Sequence, residues 1–345
     1  MMPDNTPFIS VIIPVRNEAK VLERCLLSLK KLHYPPDKYE IIIADGMSSD
    51  NSGEIARGYG AKVIRNEGQT ATSGRNKGFM HSRGDIIAFT DADCVFDRNW
   101  LKNSIKYLAD IRVAGVSGIT AFPEKSTAFE KAVNFLFDIV AMASYTAHVQ
   151  KVSRVYEAKD LPGCNAIYRR DALKKVMPID EDLLTAEDVW LNHLLTKLNY
   201  KLLLAPDIKL WHYRRSTPKK FIRQIYRYAI ARLQAGRKSA FKLINPLHLL
   251  TGLGLPIFII AGIVSYLAGG LIYFLWMIFI FLAILSAIAL IKTKNVLVSL
   301  NVPLVMIFFV FSWSAGFLRE WFSPLRIGAA EPVFNKTDIK EKSSQ

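Results

Sequence analysis

Cysteine is scarce in this sequence of 345 residues. Cys25, Cys94 and Cys164 are the only three, and they form no CxxC pair and no metal-ligand spacing. That excludes a small disulfide-stapled fold and a cysteine metal site, and it points to a reducing compartment. A secretory leader is not expected either, because MMPDNTPFISVIIPV has no basic start and no cleavage site. Disorder is excluded by a hydrophobic content of 51% at ordinary complexity.

The most informative absences concern charge. Lys and Arg number 45 against 30 Asp and Glu, a formal net charge of +15, yet the mean hydropathy is +0.17. Partition along the chain reconciles the two. Residues 1–208 hold 27 basic and 26 acidic side chains, residues 209–245 hold 11 and none, and residues 246–345 hold 7 and 4. The excess is therefore one basic segment. Directly after it, Leu247–Ile291 contains no charged residue, and Val296–Leu318 forms a second uncharged run after Lys292 and Lys294. A membrane-spanning helix needs about 20 apolar residues. The pattern predicts three of them, at 248–268, 271–291 and 296–318, with Gly269-Gly270 as the turn between the first two. Weighing Lys and Arg by side puts the basic segment and the Lys292/Lys294 loop in the cytoplasm and the tail after Phe322 on the far face. Four regions result: a catalytic domain at 1–208, a basic amphipathic interfacial segment at 209–245, a membrane domain at 246–322 and a polar tail at 323–345.

The first half alternates short β-branched runs with helical spacing. Strands are expected at Phe8–Pro14, Glu40–Ala44, Ala61–Arg65 and Asp85–Thr90, with helices at Ala19–Leu32, Ser49–Tyr59 and Thr72–Ser82. This rhythm predicts an α/β, Rossmann-like, mostly parallel sheet, in which ligands bind at the carboxyl ends of the strands. The residues there are Pro14-Val15-Arg-Asn-Glu18, Asp45-Gly46 and Asp91-Ala92-Asp93. Asp91 and Asp93 offer hard oxygens suited to Mg²⁺ or Mn²⁺, which leave positions open for substrate phosphate.

Seven blocks in order carry a resemblance: Val11–Glu18, Ile43–Ser52, Gly74-Arg-Asn-Lys-Gly78, Asp91-Ala-Asp93, Gly163-Cys-Asn165, Thr185-Ala-Glu187-Asp188 and Gln224-Ile-Tyr-Arg227-Tyr228. Over residues 8–228 the chain resembles a family 2 glycosyltransferase of GT-A fold, of the membrane-anchored kind that builds lipid-linked or surface glycans. The resemblance implies that Pro14, Val15, Glu18 and Asp45 hold the base and ribose of a nucleotide-sugar, Asp45 in the manner of uracil recognition. It also implies that Arg75 lies along the nucleotide, and that Asp91, Ala92 and Asp93 serve diphosphate and metal. Asp188 becomes the base that takes the acceptor proton, with Glu187 orienting acceptor or loop, in a single inverting displacement. Glu187-Asp188 also reads as a helix start capped by Thr185. His212 completes the metal site in several such relatives; a buried structural histidine is the other reading. Gly163, Cys164 and Asn165, with Gln224, Arg227 and Tyr228, would face the acceptor. Tyr228 stands where Trp is usual in processive synthases, which argues against processive synthesis.

The resulting expectation is a metal-dependent inverting enzyme that moves sugar from a UDP-sugar to a lipid-linked or membrane-proximal acceptor at the cytoplasmic face of the cell membrane. A polyprenyl-phosphate glycosyl synthase is the enzymatic alternative. A binding protein without catalysis is the other class, though the basic segment's place beside the membrane runs favours anionic lipid headgroups over nucleic acid. Pro218–Gln234 fits an amphipathic interfacial helix, and Ala128–Val149 either a second one or a core helix.

Overall fold

The computed structural model describes residues 6–123, 125–144, 152–183, 185–213 and 217–322. Strands β1 (Ile9–Val15), β2 (Tyr39–Asp45), β3 (Lys62–Arg65) and β4 (Ile86–Thr90) pair in parallel in the order β3-β2-β1-β4. Helices α1 (Ala19–Leu29), α2 (Ser52–Gly58) and α3 (Ala71–His81) connect them. Ile9, Val11 and Ile13 of β1 enter the core on one face with Leu22 and Leu26, while Ile12 enters the other with Phe89. Burial on both faces is why these strands read as continuous apolar runs.

Beyond β4 the sheet changes sense. The elements are β5 (Cys94–Phe96), α4 (Trp100–Ile105), β6 (Val113–Ala121), α5 (Ala128–Ser144), β7 (Tyr156–Ala158), β8 (Asn165–Arg169), α6 (Arg170–Leu173), α7 (Glu187–Lys197) and β9 (Lys201–His212). β8 is antiparallel to both β4 and β6, and β5 and β7 are antiparallel to β9, while β6 and β9 pair in parallel, so six of the nine strands run in one sense and the sheet is mostly parallel with antiparallel insertions. The antiparallel insertion of β8 beside β4 brings residues 163–165 to the strand ends where Asp91 lies.

The carboxy-terminal part comprises α8 (Pro218–Lys238), α9 (Pro246–Gly252), α10 (Gly254–Leu267), α11 (Leu271–Thr293) and α12 (Val296–Phe322). By length and composition α11 and α12 are long and apolar enough to cross a membrane, while α9 and α10 are bent by 53° at their junction. The amphipathic face of α8 is not turned to lipid: Phe221, Ile225, Ala229 and Leu233 pack with α5 and α12 in one cluster. Phe129 and Phe137 of α5 meet Phe221 edge-on, so α5 is a packed helix here; the rest of the expected 128–149 helix, from 145 on, lies outside the described residues. Gly316 lets α12 touch α8, since a Cβ there would sit 2.3 Å from the Tyr226 carbonyl oxygen.

Arg237, at the end of α8, donates from Nη1 to the wholly buried Glu320 carboxylate and from Nη2 to the Glu320 carbonyl, both at 2.9 Å. The last turn of α12 therefore lies beside α8. The Lys292–Lys294 turn joins α11 to the other end of α12, about 36 Å away at 1.5 Å per residue. By length and composition α11 and α12 could supply two crossings, and the bent α9–α10 pair a third if it forms one broken span.

An impermeant thiol reagent tests this arrangement. With the last turn of α12 beside α8, a cysteine placed by Asn295→Cys is expected to label from the side opposite to residues 6–213, with a reporter fused after Phe322 on the same side as those residues. Asn295→Cys labelling from the side of residues 6–213 would make the α9–α10 pair a third crossing and contradict this packing.

Candidate active site

The carboxyl ends of β1 and β2 are in register, Val15 opposite Asp45. The loops that follow are laced together. Glu18 N–H donates to Ser52 Oγ at 3.0 Å, Ala19 N–H to Asp50 Oδ2 at 3.1 Å, and Ser49 N–H to Asn17 Oδ1 at 2.7 Å. Asp45 Oδ1 accepts from Ser48 N–H at 3.2 Å. Pro14, Val15, Glu18 and Asp45 thus share one rim, although Val15 itself is buried in the core. Asn17, Met47 and Gln69, one in each of the first three strand-to-helix loops, have φ near +60°, and so does Ala186 immediately before Glu187. Four non-glycine residues in the left-handed region around one crevice is where stored backbone strain marks function.

Arg75 reaches this crevice because α3 lies unusually close to β1. A Cβ on Gly78 would sit 2.2 Å from Ile12 Cγ2, and one on Gly74 3.0 Å from Pro14 Cβ, so the two glycines of the Gly74–Gly78 block permit the approach. Thr70 caps the helix reciprocally with Ser73. Arg75 is 4% exposed; its Nη2 donates to Asp91 Oδ1 at 3.0 Å and to the Gly163 carbonyl at 3.4 Å, and its Nη1 to Glu187 Oε1. Its Nε is buried without a partner. Arg75 is therefore the junction between the end of β4 and the start of α7. Burial raises the Asp91 pKa, Arg75 opposes the rise, and the carboxyl settles at about 7. Burial likewise pushes Glu187 up against the pull of Arg75.

Asp188 stands beside this junction. Its Oδ2 accepts from Gly163 N–H at 2.9 Å and its Oδ1 from Val189 N–H at 2.8 Å, which leaves acceptor capacity on both oxygens. Thr185 does not cap α7: Ala186 occupies that position, and the Thr185 hydroxyl is buried without a hydrogen-bond partner. Asp93 Oδ1 and His212 Nε2 face each other at 3.1 Å, and with Cys94 they form a group whose ligand atoms lie within 4.8 Å of one another. Burial pushes the Cys94 thiol pKa up, so the group that suits a hard cation is Asp93 and His212. Burial disfavours charge on His212, yet Asp93 outweighs it and holds its pKa well above the ordinary value. Asp91 is engaged by Arg75 and is not in this group, so the expected three-ligand set is divided. Ala92 has its methyl in the core and presents backbone alone.

The residues expected at the acceptor lie in two places, and Cys164 Sγ is 3.9 Å from His212 Nδ1. Asn165 is wholly buried, its Oδ1 accepting from Trp100 Nε1 at 2.8 Å, and the Cys164 carbonyl accepts from Thr90 Oγ1 at 2.8 Å. Both hold β8 in place; only Gly163 of that block adjoins Asp188. Gln224 Nε2 donates to the Tyr228 hydroxyl at 2.7 Å, and Arg227 is exposed. Four helix positions after Tyr228, Arg232 brings its positive charge to bear on Asp160.

Sequence reasoning missed three residues. Asn76 pins the 179–181 loop through Ile179 and Glu181. Asn192, wholly buried, donates to Asp160 Oδ1 at 2.6 Å and accepts from Tyr168 OH at 2.7 Å. Asp160 itself carries a pKa raised to about 7 by burial and by Asp188, against Arg232. Asn76 sat inside a quoted block, a usable signal; nothing local marks the other two.

A mostly parallel sheet with an antiparallel strand inserted beside β4, strand-end carboxylates, a metal-compatible Asp–His pair and a helix-borne acid is the arrangement of a GT-A glycosyltransferase. The comparisons agree. The Glycosyl transferase family 2 model matches residues 10–177. Glycosyltransferase AglE of Haloferax volcanii is 30% identical over 60% of this chain and 67% of its own length. The Methanococcus voltae dolichyl N-acetyl-alpha-D-glucosaminyl phosphate 3-beta-D-2,3-diacetamido-2,3-dideoxy-beta-D-glucuronosyltransferase is 28% identical over 90% of this chain and 96% of its own. In structure, the mannosyltransferase PcManGT of Pyrobaculum calidifontis, a complex with GDP-Man and Mn²⁺, shares the fold at TM-score 0.64 and 21% identity, over 90% of this chain and 88% of that one. The chain belongs to glycosyltransferase family 2.

The Asp160 carboxyl supplies a pH test. Its unfolded pKa is about 3.9, so between about pH 4 and 7 the folded state holds a proton the unfolded chain has lost. Its contribution to stability therefore falls as pH rises through that window. Denaturant midpoints across the range are expected to drop less steeply in Asp160→Asn than in the native chain; identical slopes would place Asp160 in water.

Proposed function

We propose that this enzyme moves a sugar, with inversion, from a nucleotide-sugar to a lipid-linked acceptor at the cytoplasmic face of the cell membrane. The observation that carries the reading is the convergence of Asp91, from the strand ends, and Glu187, next to Asp188, on the single Arg75 guanidinium. That junction supports a donor side at Asp91 next to an acid, Asp188, that receives the acceptor proton.

Transfer is a single displacement. The acceptor oxygen forms its bond to the anomeric carbon as the bond to the departing diphosphate breaks, and Asp188 takes the hydroxyl proton. Gly163 N–H fixes the Asp188 carboxylate so that little reorganisation accompanies the step. Glu187 holds the helix start through Arg75. Asp93 and His212 would hold Mg²⁺ or Mn²⁺, which when bound supplies Lewis-acid stabilisation of the leaving diphosphate. A lipid-linked acceptor is supported by the activity named for the Methanococcus relative and by the two apolar helices. A UDP-sugar is supported by Asp45 at the end of β2; the GDP-Man in the structural neighbour makes a guanine nucleotide the comparison to run. The eleven basic residues of 209–245 support cytoplasmic placement and contact with anionic headgroups.

Membranes carrying the protein, given labelled UDP- and GDP-sugars with Mn²⁺ and then extracted for lipid, are expected to yield label from a UDP-sugar, lost on chelation. Asp188→Asn should lower that transfer by about 10²–10⁴-fold while nucleotide binding stays. Loss of nucleotide binding in this variant would move Asp188 to the donor side, and no label from any nucleotide-sugar would overturn the assignment.

A further inference from the structure

The two long sides of α8 do different work. At 3.6 residues per turn, Gln224, Tyr228 and Arg232 share one face, and Arg232 acts on Asp160 beside Asp188. Lys219, Ile222, Arg223 and Tyr226 share the opposite face, turned from the catalytic crevice. There they line, with Phe308, Phe311, Ser312 and Ala315 of α12, an open cleft of about 460 Å³.

This cleft has the composition of a lipid site. Its α8 wall carries two cations, and no acidic side chain pairs with either among the described residues. The whole 209–245 segment contains no acid to neutralise them. Its other walls are apolar: Ile222 and Phe311 are 38% and 52% exposed, and Ala315 leaves the space between them open. The close contact of Gly316 with the Tyr226 backbone fixes the two helices together at one end of it. A cation pair beside an apolar wall on a membrane-crossing helix matches one phosphate with an alkyl chain attached. Because the cleft lies across α8 from the Arg232 face, its occupant is a resident lipid and not the reacting acceptor.

We propose that the α8–α12 cleft binds one anionic phospholipid of the bilayer, its phosphate between Lys219 and Arg223 and an acyl chain along Ile222, Phe308 and Phe311. The bound lipid ties the basic helix that borders the catalytic crevice to the membrane helix behind it. The proposal does not depend on which sugar or acceptor the enzyme uses.

Native mass spectrometry of the full-length protein, taken from bilayers of phosphatidylcholine alone or mixed with phosphatidylglycerol, tests this without an activity readout. One phosphatidylglycerol is expected to remain on the protein through delipidation, and phosphatidylcholine is not. The K219Q/R223Q variant should weaken that retention by about tenfold or more, since each cation near an anionic lipid counts for about fivefold. Ala315→Leu, which fills the cleft without changing charge, should also lose the lipid. The charge-matched K30Q/K31Q variant should keep it. Equal retention in K219Q/R223Q and the native chain, no retained phosphatidylglycerol, or retention of an isoprenoid phosphate in its place would overturn the proposal.

Discussion

A guanidinium buried between two carboxylates organises this molecule. Arg75 is almost completely enclosed, and its ion pairs to Asp91 and Glu187 join elements that are far apart in sequence. Burying Arg75 with Glu187 is favourable only when each charge meets its counterpart, and removing one partner from such a buried pair costs about 3–5 kcal/mol. The requirement propagates outward. α3 must lie against β1 for Arg75 to arrive, which needs Gly74 and Gly78; α7 must start where Glu187 meets the guanidinium, which forces Ala186 into the left-handed region. The position of Asp188, one residue on, is then set by the fold before any substrate enters.

The same arrangement separates tasks among acids that look alike in sequence. Asp91 and Asp93 are two residues apart, yet one is neutralised by Arg75 and the other faces His212. Asp188 and Asp160 share a crevice in which burial and mutual repulsion raise Asp160, while Arg232 of the basic helix pulls it back. Charge on α8 is thus not only a membrane device. Arg232 on one face of the helix acts on Asp160, and Arg237 at its end fixes α12 through Glu320. The nearly neutral catalytic domain and the basic segment are two parts of one electrostatic arrangement.

The parallel half of the sheet and its helices were legible because each strand, buried on both faces, leaves an uninterrupted apolar run and each helix leaves its own period. The antiparallel strands β5, β7 and β8 were not. β5 and β7 have three residues each, and their pairing with β9 leaves no local periodicity. Asp188, Asp93 and His212 were visible as motif residues, but the bridge through Arg75 was not, because Glu187 lies 112 residues away from it. The strained loop positions were equally hidden: Met47, Gln69 and Ala186 carry none of the residue types that favour positive φ, and only Asn17 does. In the membrane part the apolar runs marked helices correctly, while the break between α9 and α10 and the return of α12 to α8 are tertiary facts that hydropathy does not contain.

Arg75 and Glu187 form one buried ion pair that joins the strand ends to the start of α7. A double-mutant cycle on the rate of sugar transfer, with Arg75→Met, Glu187→Gln and the double variant, measures their coupling directly. Strong non-additivity is expected, a coupling of about 2 kcal/mol or more with the double variant no slower than the worse single one. Effects that add to within about 0.5 kcal/mol, as for independent sites, would contradict it.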